Sequence, residues 1–316
     1  MGKIVKAIAP YRHKGIINFK KGAYDAWVTV GGKTAKAYYL PWKLLGWSCN
    51  HELPLLPKSK KEARLRFVEP ITRKLDAFPD YVRYEIIPMI WDCWPCLDDR
   101  ISSWLKKHQV KTAIFTSRQN AERIQKRFPE MRILVITEGI DTSKYHSGKN
   151  LCERNVDLLE FGRGSNLNFN LNSNGNEKRK FRYVCTKING KFIFSDEQLF
   201  EVMEDSKIAI ALPRSETDPT IAAGVETLTQ RYWECMLSRM VMVGRAPKEL
   251  VDLIGYNPVV ELNKEHYNDQ ILDILKHVEN YQELVDRNRE TALRLGDWTL
   301  RMNEVMNWLR KCGYEV

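Results

Sequence analysis

Residues 84–137, YEIIPMIWDCWPCLDDRISSWLKKHQVKTAIFTSRQNAERIQKRFPEMRILVIT, decide the fold class of this chain. The stretch contains three short apolar runs, from Tyr84 to Trp91, from Lys111 to Phe115 and from Arg132 to Thr137. Runs of this length and content are typical of strands that are buried on both faces. Such strands belong to parallel sheets, so helices are expected in the connections between them.

Both connections carry the signals of a helix. In the first, Pro95 stands where a proline is favoured in the first helical turn, and the helical pattern continues to His108. In the second, Ser117 is a suitable N-cap for a helix that ends at Phe128. Strands and helices that alternate in this way predict a parallel α/β sheet, to which a strand from Lys3 to Ala9 would also belong.

The second half of the chain repeats this pattern. A capping box at Ser195 and Gln198 predicts the start of one helix, and two long helices are expected at the end of the chain. The predicted strands are Asn155 to Phe161, Ile208 to Leu212, Met240 to Gly244 and Val259 to Leu262, with a hairpin from Tyr183 to Phe194 around Asn189-Gly190. We therefore expect two α/β domains, residues 1–148 and 149–316, with a cleft between them.

Composition and charge narrow the class of protein. Hydrophobic residues make up 43% and charged residues 28% of the chain, as in globular proteins. No run approaches the roughly 18 apolar residues of a membrane span, and no signal-peptide core follows Met1, so we expect a cytoplasmic protein. The net charge of +10 is spread in short runs without interleaved aromatic residues, which favours a solvated basic face over a nucleic-acid site. Attraction to an anionic membrane surface stays open.

The cysteines indicate neither a disulfide framework nor a metal site. There are 7 of them, an odd number, and they are scattered along the chain. Cys93 and Cys96 form a close pair, but a zinc site would need a second pair, and a redox pair would open a helix rather than close a strand. We expect no metal and no cofactor.

The strongest chemical signal is the segment GVETLTQRYWE at residues 224–234. Thr227 and Gln230 fit a capping box, which predicts that a helix begins at Thr227 and continues to Ser238. The free amides and the dipole at such an N-terminus attract anions. Glu226 stands just before it and Glu234 lies further along, so that a diphosphate could bind the helix end while the glutamates bind sugar hydroxyls. The alternative is an amphipathic helix with two surface glutamates.

Together with SRMVMVGRAPKELV at residues 238–251, this segment resembles the donor-binding segment of GT-B glycosyltransferases of the large retaining group 1 class. In that family a glutamate, seven residues and a second glutamate precede a strand and a turn into a helix. TEGIDTSKY at residues 137–145 is similar to the segment that closes the family's N-terminal domain, and VDLLEFGR at residues 156–163 to the Gly-Arg segment of its nucleotide domain. Asp297-Trp298 resembles the start of the family's terminal helix, which often crosses back to the first domain.

The resemblance implies the GT-B fold, with two Rossmann-like domains that face each other across a cleft. The domain of residues 1–148 would bind the acceptor, and that of residues 149–316 the nucleotide sugar. Glu226 would contact the donor sugar, Glu234 the ribose hydroxyls, and Arg163 the departing diphosphate, which a guanidinium binds bidentately. The other donor-binding candidates that follow from the resemblance are Gly162, Thr227, Leu228, Thr229 and Arg231.

The chain departs from the family pattern at several positions. The lysine that usually follows a few residues after Arg163 is absent, and Lys178, Lys180 or Arg231 would substitute for it. The usual glycine pair after the first glutamate is replaced by Thr-Leu-Thr, so hydroxyl groups would join the phosphate contacts. An asparagine-rich loop at residues 165–177 and the Asn-Gly hairpin replace the helix expected early in the second domain.

Two residues of the first half are further catalytic candidates. Asp92 follows the strand that ends at Trp91, where many relatives carry a His-Asp-like pair. It would orient the acceptor hydroxyl or act as a general base, or else cap the helix that follows. His13 lies in the loop after the first strand and would reach the cleft; the alternative is a loop histidine without a function.

The expected function is transfer of a sugar from a nucleoside-diphosphate sugar to a saccharide or lipid-linked saccharide in surface-glycan or polysaccharide biosynthesis. By resemblance, the reaction would retain the anomeric configuration, and it would need no metal. The alternatives are a sugar-nucleotide epimerase or a phosphorylase on the same fold, and a non-enzymatic basic module that binds nucleic acid or acidic polysaccharide. We expect no nucleic-acid partner, and peripheral contact with the inner face of an anionic membrane.

Overall fold

The computed structural model describes residues 2–10, 19–37, 56–69, 78–162, 164–165, 167, 169, 181–188, 191–192 and 194–316. The chain forms two compact units, and each is assembled from separate pieces of sequence. The first unit comprises Met1–Gly139, Thr220–Val225 and Trp298–Val316, and the second comprises Ile140–Pro219 and Glu226–Asp297.

The first unit is built on a six-stranded sheet with the order β2-β1-β3-β4-β5-β6, in which all neighbouring strands are parallel. The parallel sheet and the three apolar strands predicted from residues 84–137 are confirmed. The strands are β1 Ile4–Ile8, β2 Thr34–Ala35, β3 Glu62–Val68, β4 Glu85–Ile90, β5 Thr112–Phe115 and β6 Arg132–Val135.

Helices cover both faces of this sheet. They are α1 Phe19–Thr29, α2 Asp98–Lys107, α3 Arg118–Arg127 and, at the end of the chain, α11 Trp298–Lys311. One core joins α1 and α11 to Leu65 and Phe67 of β3, and a second core joins α2 and α3 to Ile90 and Phe115. The N-cap residue of the 3-10 turn Pro95–Leu97 is Trp94 and that of α2 is Leu97, so Asp92 is the N-cap residue of neither.

A short piece from the middle of the sequence also belongs to the first unit. Within Thr220–Val225, the side chains of Ala222 and Val225 pack on the buried Trp94. The chain leaves the second unit at Pro219 and returns to it at Glu226.

The second unit is built on a five-stranded parallel sheet with the order β13-β12-β11-β7-β8. Its strands are β7 Val156–Glu160, β8 Tyr183–Cys185, β11 Ser206–Ala211, β12 Val241–Gly244 and β13 Val259–Glu261. The predicted hairpin is correct only for its second part, where β9 Lys187–Ile188 and β10 Lys191–Phe192 pair antiparallel. Tyr183–Cys185 instead pairs parallel with β7. The Tyr183 hydroxyl donates a hydrogen bond of 2.6 Å to the Glu160 carboxylate of β7, which stabilises this pairing.

The helices of the second unit begin with α4 at the predicted capping box, in which Ser195 and Gln198 exchange hydrogen bonds. The helices are α4 Asp196–Glu204, α5 Arg214–Thr217, α6 Pro219–Ala222 (whose last three residues belong to the first unit), α7 Gln230–Leu237, α8 Lys248–Ile254, α9 Tyr267–Lys276 and α10 Gln282–Leu295. The end of the chain thus contains three long helices, α9, α10 and α11, instead of the two predicted. In the part of the chain that the structure describes, no helix is long and apolar enough to span a bilayer.

The predicted start of α7 is wrong. The helix begins at Gln230 with Thr229 as its N-cap, and Thr227 lies outside it. Tertiary contacts outweigh the local capping pattern here. The Leu228 side chain is fully buried, and its amide donates a hydrogen bond of 3.1 Å to the Glu249 carboxylate of α8, so this segment is anchored by contacts outside α7.

Candidate active site

The candidate site lies at the carboxyl edge of the second sheet, where open α/β sheets bind their ligands. Charged side chains follow three neighbouring strands at this edge. Glu216 lies on the short helix after β11, Arg245 directly follows β12, and Lys264 follows β13. Because parallel strands present their carboxyl ends on one side, residues far apart in sequence come together here.

An ion-pair network connects these residues to Glu226. The Arg245 guanidinium binds Oε1 of Glu226 and Oε1 of Glu216, and it donates a hydrogen bond of 3.0 Å to the Ser215 hydroxyl. Lys264 binds the second carboxylate oxygen of Glu216 at 2.9 Å. The Glu226 side chain keeps 20% of its surface exposed, so it can still contact a ligand.

The network keeps Glu216 and Arg245 charged. Partial burial raises the pKa of Glu216, but hydrogen bonds from Arg245 and Lys264 outweigh this effect and hold the pKa below its usual value. The hydrogen bond to Glu226 raises the pKa of Arg245 above its already high value. Arg245 therefore stays a cation between two carboxylates at any physiological pH.

A second contact at this edge places Arg231 of α7 against the end of β7. The Arg231 guanidinium carbon lies 5.5 Å from the centre of the Phe161 ring. Gly162 has a φ of +73°, and a Cβ atom added to it would lie only 2.3 Å from Nη2 of Arg231. The backbone conformation thus favours glycine at position 162, and a larger residue there would displace the end of the Arg231 side chain. Two donor-binding candidates from the sequence, Gly162 and Arg231, are brought together.

Glu234 lies in the interior of the second unit. It is 4% exposed, and its carboxylate accepts a hydrogen bond of 3.3 Å from the Tyr145 hydroxyl. Burial raises the pKa of the Glu234 carboxyl to about 7, an effect that Arg231 and the hydrogen bond from Tyr145 only partly offset. Contact of this residue with a ribose stays a prediction.

The loop before α7 has a defined structure. Thr227 and Thr229 are half-buried, whereas Leu228 is fully buried and uses its amide to bind Glu249. The Tyr232 hydroxyl donates a hydrogen bond of 2.7 Å to the carbonyl oxygen of Arg245, which links α7 to the end of β12. This link holds the backbone of Arg245 beside the loop that carries Glu226.

Asp92 lies at the carboxyl edge of the sheet of the first unit, two residues after β4. Its φ is +48°, and it is half-buried. Few residues other than glycine adopt this conformation, aspartate more readily than most, and such positions cluster at functional sites. This conformation supports Asp92 as a candidate within its own unit.

Two observations concern the metal and redox alternatives for the cysteines. Among the described residues, no group of three or more His, Cys, Asp or Glu side chains is arranged to hold a metal ion. Cys93 is buried, and burial raises the pKa of its thiol to about 12. The thiol therefore stays protonated near neutral pH, and the reactive thiolate does not form.

Two predicted catalytic residues, His13 and Arg163, lie outside the described residues, as do Lys178 and Lys180. Conversely, the sequence interpretation assigned no role to Arg245, Glu216 or Lys264. The sequence does contain a signal for Arg245, because a charged residue that directly follows a buried parallel strand lies at the ligand edge of the sheet. The same signal made Asp92 a candidate.

No protein-family model matches this chain, and no curated protein matches it. Among solved structures, HepE from Anabaena, in complex with UDP and glucose, is 8% identical with a TM-score of 0.57, over 98% of this chain and 100% of that one. Sucrose-phosphate synthase from Thermosynechococcus elongatus is 10% identical over the same shares, also with a TM-score of 0.57. AviGT4, a glycosyltransferase involved in avilamycin A biosynthesis, is 14% identical over 99% of this chain and 98% of its own, with a TM-score of 0.52.

The chain has the GT-B fold. The predicted fold is thus confirmed over nearly the whole length of the chain. At these levels of sequence identity the likeness establishes the fold, and the chemistry has to be argued from the residues of the site.

Proposed function

We propose that this protein is a glycosyltransferase that moves a sugar from a nucleoside-diphosphate sugar to a saccharide or lipid-linked saccharide acceptor. The observation that carries the proposal is the charged carboxyl edge of the second sheet, where Arg231 lies against Gly162 and Arg245 holds Glu226. This edge belongs to a GT-B fold, and HepE, which shares that fold, was solved with UDP-glucose.

In the proposed reaction, Arg231 binds the diphosphate beside Gly162, together with Arg163. Guanidinium groups bind phosphate oxygens bidentately and neutralise the charge that develops on the leaving diphosphate. These cations take the part that a metal ion would otherwise play. The reaction is therefore proposed to be independent of metal ions.

Glu226 is proposed to bind hydroxyl groups of the donor sugar. Arg245 positions its carboxylate from one side, and the exposed part of the side chain offers the acceptor atoms. Asp92, in the first unit, is proposed to orient the acceptor hydroxyl or to take its proton. By resemblance to the group 1 enzymes, the reaction would retain the anomeric configuration.

The acceptor class implies a place in surface-glycan or polysaccharide biosynthesis and peripheral contact with an anionic membrane. Both are part of the proposal. The positive net charge of +10 and a lipid-linked acceptor are compatible with such contact.

A thermal-shift panel tests the donor site directly. UDP, GDP, ADP, CMP and dTDP are added separately to the wild type, to Arg231→Met and to the control Arg294→Met, an exposed arginine of α10. A nucleotide at about a hundredfold excess over its Kd stabilises the folded state by about 2.7 kcal/mol. We expect one nucleotide to raise the melting temperature of the wild type and of Arg294→Met, and to have little effect on Arg231→Met.

No stabilisation by any nucleotide at millimolar concentration would contradict the donor site. Incubation with the matching nucleotide sugar then separates the enzyme classes. A glycosyltransferase leaves the sugar intact or hydrolyses it slowly in the absence of an acceptor, whereas an epimerase would isomerise it.

A further inference from the structure

The positive charge of the protein belongs entirely to the first unit. That unit contains 29 lysines and arginines and 15 aspartates and glutamates, a net charge of +14. The second unit contains 21 basic and 25 acidic residues, a net charge of −4. Solubility alone would not require such an asymmetry between two units of one fold.

The exposed cations of the first unit are concentrated at the amino edge of its sheet, opposite the edge that carries Asp92. Five of them precede or begin a strand, and six stand in the last turn of a helix, which returns the chain to this edge. They are Lys60, Lys61, Arg83, Lys111 and Arg132, and Lys106, Lys107, Lys126, Arg127, Arg310 and Lys311. Among them only Arg127 forms an ion pair with another described residue.

The last helix is fixed to this edge by its own contacts. Arg132 donates a hydrogen bond of 2.7 Å to the Cys312 carbonyl oxygen, and the Tyr314 hydroxyl lies 3.1 Å from Oγ1 of Thr112. The cations of α11 therefore join those that precede β5 and β6. Six strands at a spacing of about 4.8 Å give the edge a width of roughly 24 Å.

Helix dipoles explain only part of this concentration. Cations in a last helical turn stabilise a helix, which accounts for the six residues at helix ends. The helix dipole does not account for the five cations that precede or begin a strand. In the second unit, moreover, α4 ends at Glu204, and Asp205 precedes β11 at the corresponding edge.

An apolar cavity opens among these cations. It has a volume of about 310 Å³, and its apolar walls are Val110, Phe128, Pro129 and Met131. The charged side chains that border it are Lys111, Arg127 and Glu130. Cations around an apolar recess complement an amphiphile with an anionic head, whereas a nucleic acid would need stacked aromatic side chains or a groove.

We propose that the amino edge of the first sheet docks the protein on an anionic lipid bilayer. Phospholipid headgroups pair with the cations, and the cavity beside Phe128 receives the apolar part of one lipid. Docking through this edge leaves the opposite edge of the first sheet, with Asp92, uncovered. This inference rests on the membrane contact named in the proposed function and assigns it to one surface. The residues of that surface are separate from the donor site, so loss of vesicle binding and loss of the proposed reaction are measured independently.

Vesicle co-sedimentation tests the proposal on the full-length protein. The edge variant combines Lys60→Gln, Lys61→Gln, Lys111→Gln and Lys126→Gln. The control variant removes the same charge from exposed positions of the second unit, by Lys149→Gln, Lys248→Gln, Lys276→Gln and Arg294→Gln. Vesicles consist of phosphatidylcholine alone or of phosphatidylcholine mixed with phosphatidylglycerol, and melting temperatures verify that both variants fold.

We expect the wild type and the control to bind the anionic vesicles and not the neutral ones. The edge variant should lose roughly fivefold in partition coefficient for each cation removed, while its hydrolysis of nucleotide sugar is unchanged. Equal losses in both variants, or equal binding to neutral vesicles, would overturn the proposal. Binding of random single-stranded oligonucleotides through the same four lysines, without vesicle binding, would also overturn it.

Discussion

Arg245 and Glu226 form an ion pair across the carboxyl edge of the second sheet, and Arg245 holds Glu216 at the same time. The two residues belong to different parts of the fold, since Arg245 follows β12 and Glu226 precedes α7. Glu226, the residue proposed to bind the donor sugar, thus receives its orientation from a side chain to which the sequence interpretation gave no role.

Arg245→Met removes the cation between two carboxylates. We expect kcat to fall by about tenfold to a hundredfold, because a hydrogen bond to a charged group contributes about 1.5–3 kcal/mol. Arg245→Lys keeps the charge but cannot bind both carboxylates in the same way, so it should recover only part of the loss. Steady-state kinetics measure kcat of both variants, and Lys248→Met, a change at an exposed neighbour, is the control. A wild-type kcat for Arg245→Met would contradict the positioning role of Arg245.

Glu226→Ala and Glu226→Gln test the sugar contact itself. We expect turnover to collapse in both variants while the melting temperature changes little, because the side chain lies at the edge of the sheet and outside the core. Turnover is measured with the nucleotide sugar that the thermal-shift panel identifies. An unchanged rate in either variant would exclude Glu226 from the site, and Glu261→Gln, at the end of β13, provides a control.

Gly162→Ala tests the contact between β7 and Arg231. Gly162 and Gly255 both have a positive φ, so alanine should destabilise the fold at either position by about 1–2 kcal/mol. Only at position 162 would the new methyl group displace Arg231, because nothing lies within 4 Å of a Cβ at position 255. Calorimetry should show weaker nucleotide binding for Gly162→Ala alone; equal affinities for both variants would remove Arg231 from the diphosphate site.

Glu234 gives the protein a specific pH dependence. Its carboxyl has a pKa of about 7 in the folded state and near 4.5 in the unfolded chain. Between these values the folded state holds a proton that the unfolded state has released, so the free energy of unfolding falls as the pH rises from about 4.5 to about 7. Above pH 7 the loss is on the order of 3 kcal/mol.

Glu234→Gln should remove this fall and stabilise the protein above pH 7, since an amide can keep the hydrogen bond from Tyr145. Melting temperatures measured across this pH range decide the matter, with Glu290→Gln, an exposed position of α10, as the control. If both variants followed the wild-type profile, Glu234 would titrate as an ordinary carboxyl.

Trp298 at the start of α11 is fully buried and packs edge-on against Trp91 at a ring distance of 6.0 Å. Trp298→Ala should lower the free energy of unfolding by about 3–5 kcal/mol. Leu300→Ala on the same helix should have little effect, because Leu300 is 46% exposed. Urea denaturation measures the free energy of unfolding of both variants. A loss for Trp298→Ala as small as that for Leu300→Ala would indicate that α11 contributes little to the core.

The strands that are continuous apolar runs were predictable because their signal is local. The apolar runs around Ile87, Ile114 and Ile210 are buried in the sheets as their composition predicts. The start of α7 was not predictable, because the segment before it is anchored by tertiary contacts, among them the bond from the Leu228 amide to Glu249, 21 residues away. The capping pattern at Thr227 contains no information about that contact.

The site could be predicted in part for the same reason. Gly162 was proposed from one motif that is continuous in sequence, and Glu226 and Arg231 were proposed from another. The burial of Glu234 depends on Tyr145, which lies 89 residues earlier, and the network around Arg245 joins the ends of three strands. Such relationships arise only when the sheet has formed.

The division of the chain into interleaved pieces restricts how the protein can be recombined. The backbone passes between the units at four places, after Gly139, Pro219, Val225 and Asp297. A chimera that takes its second unit from another protein with the GT-B fold would need four junctions, and the junction after Val225 would directly precede Glu226. Simple fusion of two half-chains would leave the six-residue segment Thr220–Val225, with Ala222 and Val225, unmatched to the Trp94 on which it packs.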